Sequence, residues 1–265
     1  MPEEAILLSG GNITQVVRIG QTVRRTTNTW STTVHDLLRH LEAQGFTGAP
    51  RFLGIDEKGR EILSFLPGMV GHYPLPATLW SDNVLIATAQ FLRRYHDATV
   101  NFVLPTDANW QFIYPDAQQH EVICHNDVAP YNIVYQNNLP SALIDFDTAG
   151  PGPRLWDIAY ALYRFIPLSY APDMQEQDLT DLRSQSHRLH LFCTAYGQLF
   201  PISTLLATVG ERLQAMCDTI SNGAAAHNPA YQRLLAEGHL DFYQREISAL
   251  QEHSAQLIQH YESLS

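Results

Sequence analysis

Short apolar-rich runs separated by polar and glycine-containing turns mark much of the first 66 positions, and apolar residues recur at helical spacing over 31–44 and in much of the remaining chain. Residues 5–8 (AILL), 14–19 (TQVVRI) and 22–25 (TVRR) read as strands, separated by the polar Ser9-Gly10-Gly11-Asn12 and by Gly20-Gln21. Residues 31–44 place Val34, Leu37, Leu38 and Leu41 on one helical face, with Ser31 as the candidate N-cap and Gly45 as the stop. Two further strands, 51–55 and 61–65, flank the turn Asp56-Glu57-Lys58-Gly59. A helix over 82–99 comes next, with Val84, Leu85, Ala89, Phe91, Leu92 and Tyr95 on its apolar face. Beyond Pro167 the pattern predicts helices over 174–197, 202–222, 228–236 and 238–262, divided by Pro and Gly.

Between these regions lies VICHNDVAPYNIVYQNNLPSALIDFDTAGPGPRLWDIA, residues 122–159. Val122-Ile123-Cys124 is a strand ending at His125, Asn132 opens a second strand to Tyr135, and Ala142-Leu143-Ile144 is a third. Asn137-Asn138 tolerates the positive φ of a tight hairpin turn. Loops after short strands therefore bring Asp127, Asn132 and Asp145 near one point. Phosphoryl transfer from a nucleotide needs such a set: one carboxylate to accept or orient a hydroxyl proton, and a carboxylate with an amide oxygen to hold Mg2+. Any of these residues alone reads more simply as turn-forming Asp or Asn in a hairpin. The spacing H-x-D-x-x-x-x-N, with D-F-x thirteen residues after the Asn, is that of kinase catalytic loops.

The run HNDVAPYN…LIDFDTAGPGPRLWDIA resembles the aminoglycoside phosphotransferase and choline kinase branch of the protein-kinase-like fold. That branch carries H-G-D-x-x-x-x-N, then I-D-[FW], then an Asp twelve residues on, matched here by Asp157. The resemblance implies that Asp127 is the base or hydroxyl-orienting group and that Asn132 and Asp145 hold the metal. It implies supporting roles for His125, which shapes the loop, and for Asp157, which bonds the loop backbone. Asp147 replaces the usual small residue, either reaching the metal or, the favoured reading, capping the following turn. Gly150-Pro151-Gly152-Pro153 is a rigid connector with no room for an activation segment.

The resemblance also gives the first 66 residues a nucleotide-binding role. Gly10, Gly11 and Asn12 correspond to the turn whose backbone N–H groups approach phosphates. The third strand should carry a lysine for the α- and β-phosphates, but the only lysine in the chain is Lys58, in a later turn. Arg24 or Arg25 stands in the expected region, and alternation turns only one of them inward. The helix that should supply a glutamate partner reads Val34-His35-Asp36, and Glu42 comes too late. Ser64-Phe65-Leu66-Pro67-Gly68 resembles the hinge where main-chain groups, here of Phe65 and Leu66, meet the nucleotide base. The opening GGNITQVVRIGQTVRR is similar to a branch of small bacterial proteins named partly for trifolitoxin immunity.

Charge sharpens the picture. The chain of 265 residues carries a net −11. Residues 1–66 hold seven acids and seven bases, so 67–265 carry the whole excess. With no basic stripe, nucleic acid is disfavoured as a partner, and the acidity suits a cationic substrate as well as simple solubility. No apolar stretch approaches a membrane span, and the acidic MPEEAILLSGG is unlike a signal peptide. Cys124, Cys193 and Cys217 lack metal-ligand spacing and read as reduced core thiols, so the cytoplasm is the expected compartment.

These readings combine into an α+β, bilobal protein-kinase-like fold. A nucleotide-binding lobe of five antiparallel strands and one helix is expected over 1–66, and a mainly helical catalytic and substrate lobe over 67–265. The expected function is transfer of the γ-phosphate of ATP or GTP, with Mg2+, to a hydroxyl of a small, cationic, aminoglycoside-type molecule. A metabolic kinase for an amino alcohol or amino acid is the alternative, as is a kinase-like binding or immunity protein with weak transfer. Asp173, Glu176, Asp178, Glu237 and Asp241 are candidate acceptor-groove acids, each otherwise a solvated helix face.

Overall fold

The computed structural model describes residues 5–8, 16–168 and 179–263. The described chain forms two compact units: residues 1–72 with 90–154, and residues 73–89 with 155–265. The division expected at 66/67 separates a sheet from the rest, whereas compactness groups the central hairpin with the sheet.

In the first unit a five-stranded antiparallel sheet runs in the order β1 (Ala5–Leu8), β2 (Val16–Ile19), β3 (Thr22–Thr26), β5 (Arg60–Ser64), β4 (Phe52–Ile55). Helix α1 (Ser31–Ala43) lies between β3 and β4 in sequence and buries Val34, Leu37, Leu38 and Leu41. Its stop is as expected: Gly45 takes φ +73 just past the last turn. Its start differs. Trp30 is the N-cap, in αR conformation with no side-chain cap bond, while the Ser31 hydroxyl accepts from the Asn28 N–H at 2.8 Å. A capping side chain needs a non-helical residue behind it, and Ser31 is already helical.

Strand β6 (Met69–Val70), helix α2 (Asp82–Thr99) and strand β7 (Val122–Cys124) come next, then the hairpin β8 (Ile133–Gln136) and β9 (Leu139–Leu143). Asn137 and Asn138 take φ +52 and +61 at the hairpin turn, the conformation expected of them. Strand β6 pairs with β8, extending the hairpin to three strands.

The connector after the hairpin is itself a strand, β10 (Gly150–Gly152), antiparallel to β7 with Gly150 opposite Cys124. A Cβ on Gly150 would fall 1.8 Å from the Phe112 carbonyl oxygen, so the loop passing over this strand requires glycine. Gly150→Ala is expected to cost about 2 kcal/mol or more, since overpacking against backbone cannot be relieved by a rotamer change. A thermal melt of the purified variant measures it, and an unchanged melting temperature would contradict the close approach.

The second unit begins its main helical run with α3 (Arg154–Phe165), whose Asp157 lies in the first turn. Helices α4 (Leu182–Tyr196), α5 (Ile202–Ala225), α6 (Pro229–Ala236) and α7 (His239–Ser263) complete it. Arg188 on α4 is nearly inaccessible and gives Nη1 to the Trp80 carbonyl and Nη2 to the Phe165 carbonyl, and Tyr163 donates to the buried Glu246 at 3.0 Å. All three cysteines are free and buried. Burial pushes the Cys193 thiol up to about 12, so it stays a neutral core group. Among the described residues no helix is long and apolar enough to cross a membrane.

Candidate active site

The end of β7 delivers His125, and the chain then turns through Asn126 at φ +66. The related motif has glycine here, and asparagine is among the few other residues that adopt this conformation readily. Its side chain closes the turn by donating Nδ2 to the Thr148 carbonyl at 2.9 Å. Thr148 in turn gives its hydroxyl to the His125 carbonyl at 2.9 Å. His125 lies between the two segments. Its Nδ1 accepts the Asp127 N–H at 3.3 Å, which leaves the proton on Nε2 to bond the Ile144 carbonyl at 3.0 Å. The imidazole is committed to backbone on both sides.

Asp127 and Asn132 meet directly. The Asn132 amide nitrogen donates to Asp127 Oδ2 at 2.7 Å and to the Asp127 carbonyl at 3.0 Å. Tyr131, which the sequence reading did not single out, donates its hydroxyl to Asp127 Oδ1 at 2.8 Å. The carboxylate is thus fixed in orientation, and each oxygen keeps a second lone pair for a proton. Asp145 is joined to the same loop through the backbone, because the Ile144 N–H bonds the Asn132 carbonyl at 2.9 Å. Asp145 itself takes φ +65, a left-handed conformation that turns the chain into the short 3-10 segment Phe146–Thr148.

Between the two arginines, the sheet decides. Arg24 points toward Asp56 at 3.9 Å, while Arg25 is buried among acids. Its Nη1 bonds Asp145 Oδ1 at 2.8 Å, its Nη2 bonds Asp147 Oδ1 at 2.7 Å, and its Nε bonds Glu61. The other Glu61 oxygen accepts from His35 Nε2 at 2.7 Å. Burial alone would lower the Arg25 pKa, but Asp147, Asp145 and Glu61 outweigh it and raise it further. Burial likewise pushes the Glu61 carboxyl up, yet His35 and Arg25 hold it below the ordinary range. Asp147 goes the other way. Burial, together with Asp145 and Glu61, outweighs Arg25 and raises it. Asp147 therefore spends a carboxylate oxygen on Arg25, where a turn cap was expected of it. Glu61 was also missed by sequence reading. Its one visible signal is an acid at an inward position of a strand that buries Leu63 on the same face.

This donor set fits a hard divalent cation. With its amide nitrogen committed to Asp127, Asn132 has its oxygen to offer, and the Asp145 side chain is 52% exposed. Three carboxylates face one guanidinium, an acidic surplus that a cation would balance. One carboxylate and one amide oxygen are few ligands, as befits Mg2+, which takes much of its shell from phosphates and water. Among the described residues no group of three or more His, Cys, Asp or Glu forms a metal-binding cluster.

Of the remaining expected residues, Gly10, Gly11 and Asn12 lie outside the described residues, although the flanking β1 and β2 pair up to Leu8 opposite Val16. At the hinge, the Phe65 N–H is taken by the Gln21 carbonyl at 2.9 Å, so a base contact there falls to the Phe65 carbonyl or the Leu66 backbone. Gly68 takes φ +149, with Val134 and the Tyr135 carbonyl where a Cβ would stand. Asp157 is fully buried and belongs to the second unit. Asp173, Glu176 and Asp178 lie outside the described residues. Glu237 is exposed beside Arg233 and His239, and Asp241 is exposed.

Residues 104–187 match the model of a phosphotransferase enzyme family. The chain is 39% identical over 199 residues to the trifolitoxin immunity protein of Rhizobium leguminosarum bv. trifolii, covering 73% of this chain and 74% of that protein. In solved structures it is similar to amicoumacin kinase hAmiN in complex with AMP-PNP, Ca2+ and Ami, with a TM-score of 0.67 at 12% identity over 94% of this chain and 89% of the other. It is also similar to the GDP and kanamycin complex of an APH(2″) enzyme, with a TM-score of 0.60 at 15% identity over 97% and 94% of the two chains. The kinase-like fold is thus shared at low identity.

Proposed function

Because this chain belongs to the phosphotransferase enzyme family, we propose that it moves the γ-phosphate of ATP or GTP to a hydroxyl of a small cationic molecule of aminoglycoside type. The observation that carries this reading is the joined set Asp127–Asn132–Asp145–Arg25, in which a base candidate, a metal-ligand pair and a phosphate anchor lie within one hydrogen-bonded network. Asp127 accepts the proton as the acceptor oxygen attacks the γ-phosphorus and the bond to the β–γ bridging oxygen breaks. Asn132 and Asp145 would hold Mg2+, which when bound neutralises phosphate charge and lines up the transfer. Arg25 binds the phosphates with the second N–H of Nη1 and of Nη2, one on each being left by the bonds to Asp145 and Asp147. The hinge at Phe65 and Leu66 holds the base through main chain, and the Gly10-Gly11-Asn12 turn covers the phosphates. His125 holds the loop. The acidic 67–265 region favours a cationic acceptor, and the cytoplasm supplies the nucleotide.

A relative named for trifolitoxin immunity favours a second reading, in which the cleft binds nucleotide and protects the cell with little transfer. A thermal-shift titration with ATP and GTP, each with and without Mg2+, separates the premises. A ligand at 100 times its Kd is expected to stabilise by about 2.7 kcal/mol, and a Mg2+-dependent shift followed by phosphorylation of an aminoglycoside supports the kinase. Phosphorylation of amino alcohols alone would redirect the acceptor. A shift without transfer to either class supports the second reading, and no shift with either nucleotide removes both.

A further inference from the structure

We infer that Glu61 and His35 are positioning residues that aim Arg25 at the phosphates of the nucleotide, an inference that rests on reading Arg25 as the phosphate anchor. In the kinase pattern a helix-borne glutamate holds a strand-borne lysine. Here the helix position carries His35, and the acid has moved to the neighbouring strand. Arg25 and Glu61 are direct cross-strand partners of β3 and β5, so they share one face of the sheet.

The geometry does more than pair charges. Glu61 is 1% exposed, and both of its oxygens are used, one on Arg25 Nε and one on His35 Nε2. A guanidinium is planar, so fixing Nε fixes where Nη1 and Nη2 point. They point at Asp145 and Asp147, the acids on the turn that follows the catalytic hairpin. His35 is in turn held by stacking on Phe52, ring centroids 3.8 Å apart and nearly parallel. A lysine could not be aimed in this way, because an ammonium at the end of a flexible stem has no second edge to hold. Stability alone is a poor reason for the arrangement, since a buried ion pair is often no better than apolar packing of the same volume.

The test is a double-mutant cycle on the full chain, reading the Kd of the Mg2+-nucleotide that the wild type binds, at a temperature where every variant is native by circular dichroism. Glu61→Gln is expected to weaken the nucleotide about tenfold or more in the wild-type background. It should weaken it less than twofold in an Arg25→Met background, because Glu61 acts only through Arg25. The charge-relocating pair Glu61→Gln with His35→Glu returns the carboxylate to the helix and is expected to recover most of the loss. An equal loss in both backgrounds marks Glu61 as merely structural and overturns the inference, as does an unchanged Kd in Glu61→Gln. Wild-type affinity in Arg25→Met overturns instead the reading of Arg25 as the anchor, and this inference with it. If a cycle variant does not fold, the charge-relocated pair decides alone: recovery to near wild-type affinity supports the inference, and a Kd more than tenfold weaker overturns it.

Discussion

Asp127→Asn is expected to lower turnover by about 10²–10⁴-fold, the usual contribution of a positioned general base, while the affinity for Mg2+-nucleotide stays within about threefold. That loss corresponds to roughly 3–5 kcal/mol of transition-state stabilisation. An amide in place of the carboxylate can still accept from Tyr131, but it cannot take a proton from the attacking hydroxyl. The separation of the two effects follows from the bonding. Asp127 is held by Tyr131 and by the Asn132 amide nitrogen, whereas the groups assigned to metal and phosphate are the Asn132 oxygen, Asp145 and Arg25. Steady-state kinetics with a phosphorylated acceptor, alongside nucleotide titration, measures both quantities. Unchanged turnover would remove Asp127 from the chemistry.

Arg25→Met carries the second large effect, on stability and nucleotide binding together. Removing one partner of a buried ion pair typically costs about 3–5 kcal/mol, and here Glu61, Asp145 and Asp147 all lose their guanidinium. The pH dependence has a definite sign. In the wild type the Glu61 carboxyl is held below its ordinary value, so its stabilisation is present above that ordinary value and is lost as pH falls through the lowered one. Asp147 is raised; its folded form binds a proton more tightly, so it costs stability at neutral pH and returns it as pH falls through the raised value. Without Arg25 the Glu61 and Asp147 carboxyls lose a partner that holds them down and shift upward, so the variant's deficit is expected to narrow as pH falls from neutral toward the ordinary carboxylate range. Denaturant unfolding of both proteins across that range checks it. A deficit that stays constant with pH would mean that Glu61 and Asp147 are not coupled to Arg25.

The stretch around the candidate catalytic loop was legible because its determinants are close in sequence. His125, Asp127, Asn132 and Asp145 sit at the ends of short strands joined by one tight turn. The strand pattern and the Asn137-Asn138 turn therefore suffice to bring them together, as the structure places them. The five-stranded sheet, the end of α1 at Gly45 and the run of helices after 179 were readable for the same reason, since period and punctuation are local properties.

Other features depended on contacts that local pattern does not encode. Ser31 looked like a cap by residue type, but helix α1 begins one position earlier than that role allows, behind Trp30. Asp147 suited a turn by type, and a guanidinium from a strand 122 positions away claimed it instead. Alternation showed that only one of Arg24 and Arg25 could face inward, yet which one follows from the pairing of β3 with β5. These strands are neighbours in the sheet but not in the chain, because β4 is placed at the far edge. That crossing also sets Glu61 beside Arg25 across 36 residues. The elements and the central hairpin were thus dictated by local sequence, where short loops leave the chain few alternatives. How the anchor is built was left to tertiary packing, because the register between non-consecutive strands is set by assembling the whole sheet and not by any residue's own preference.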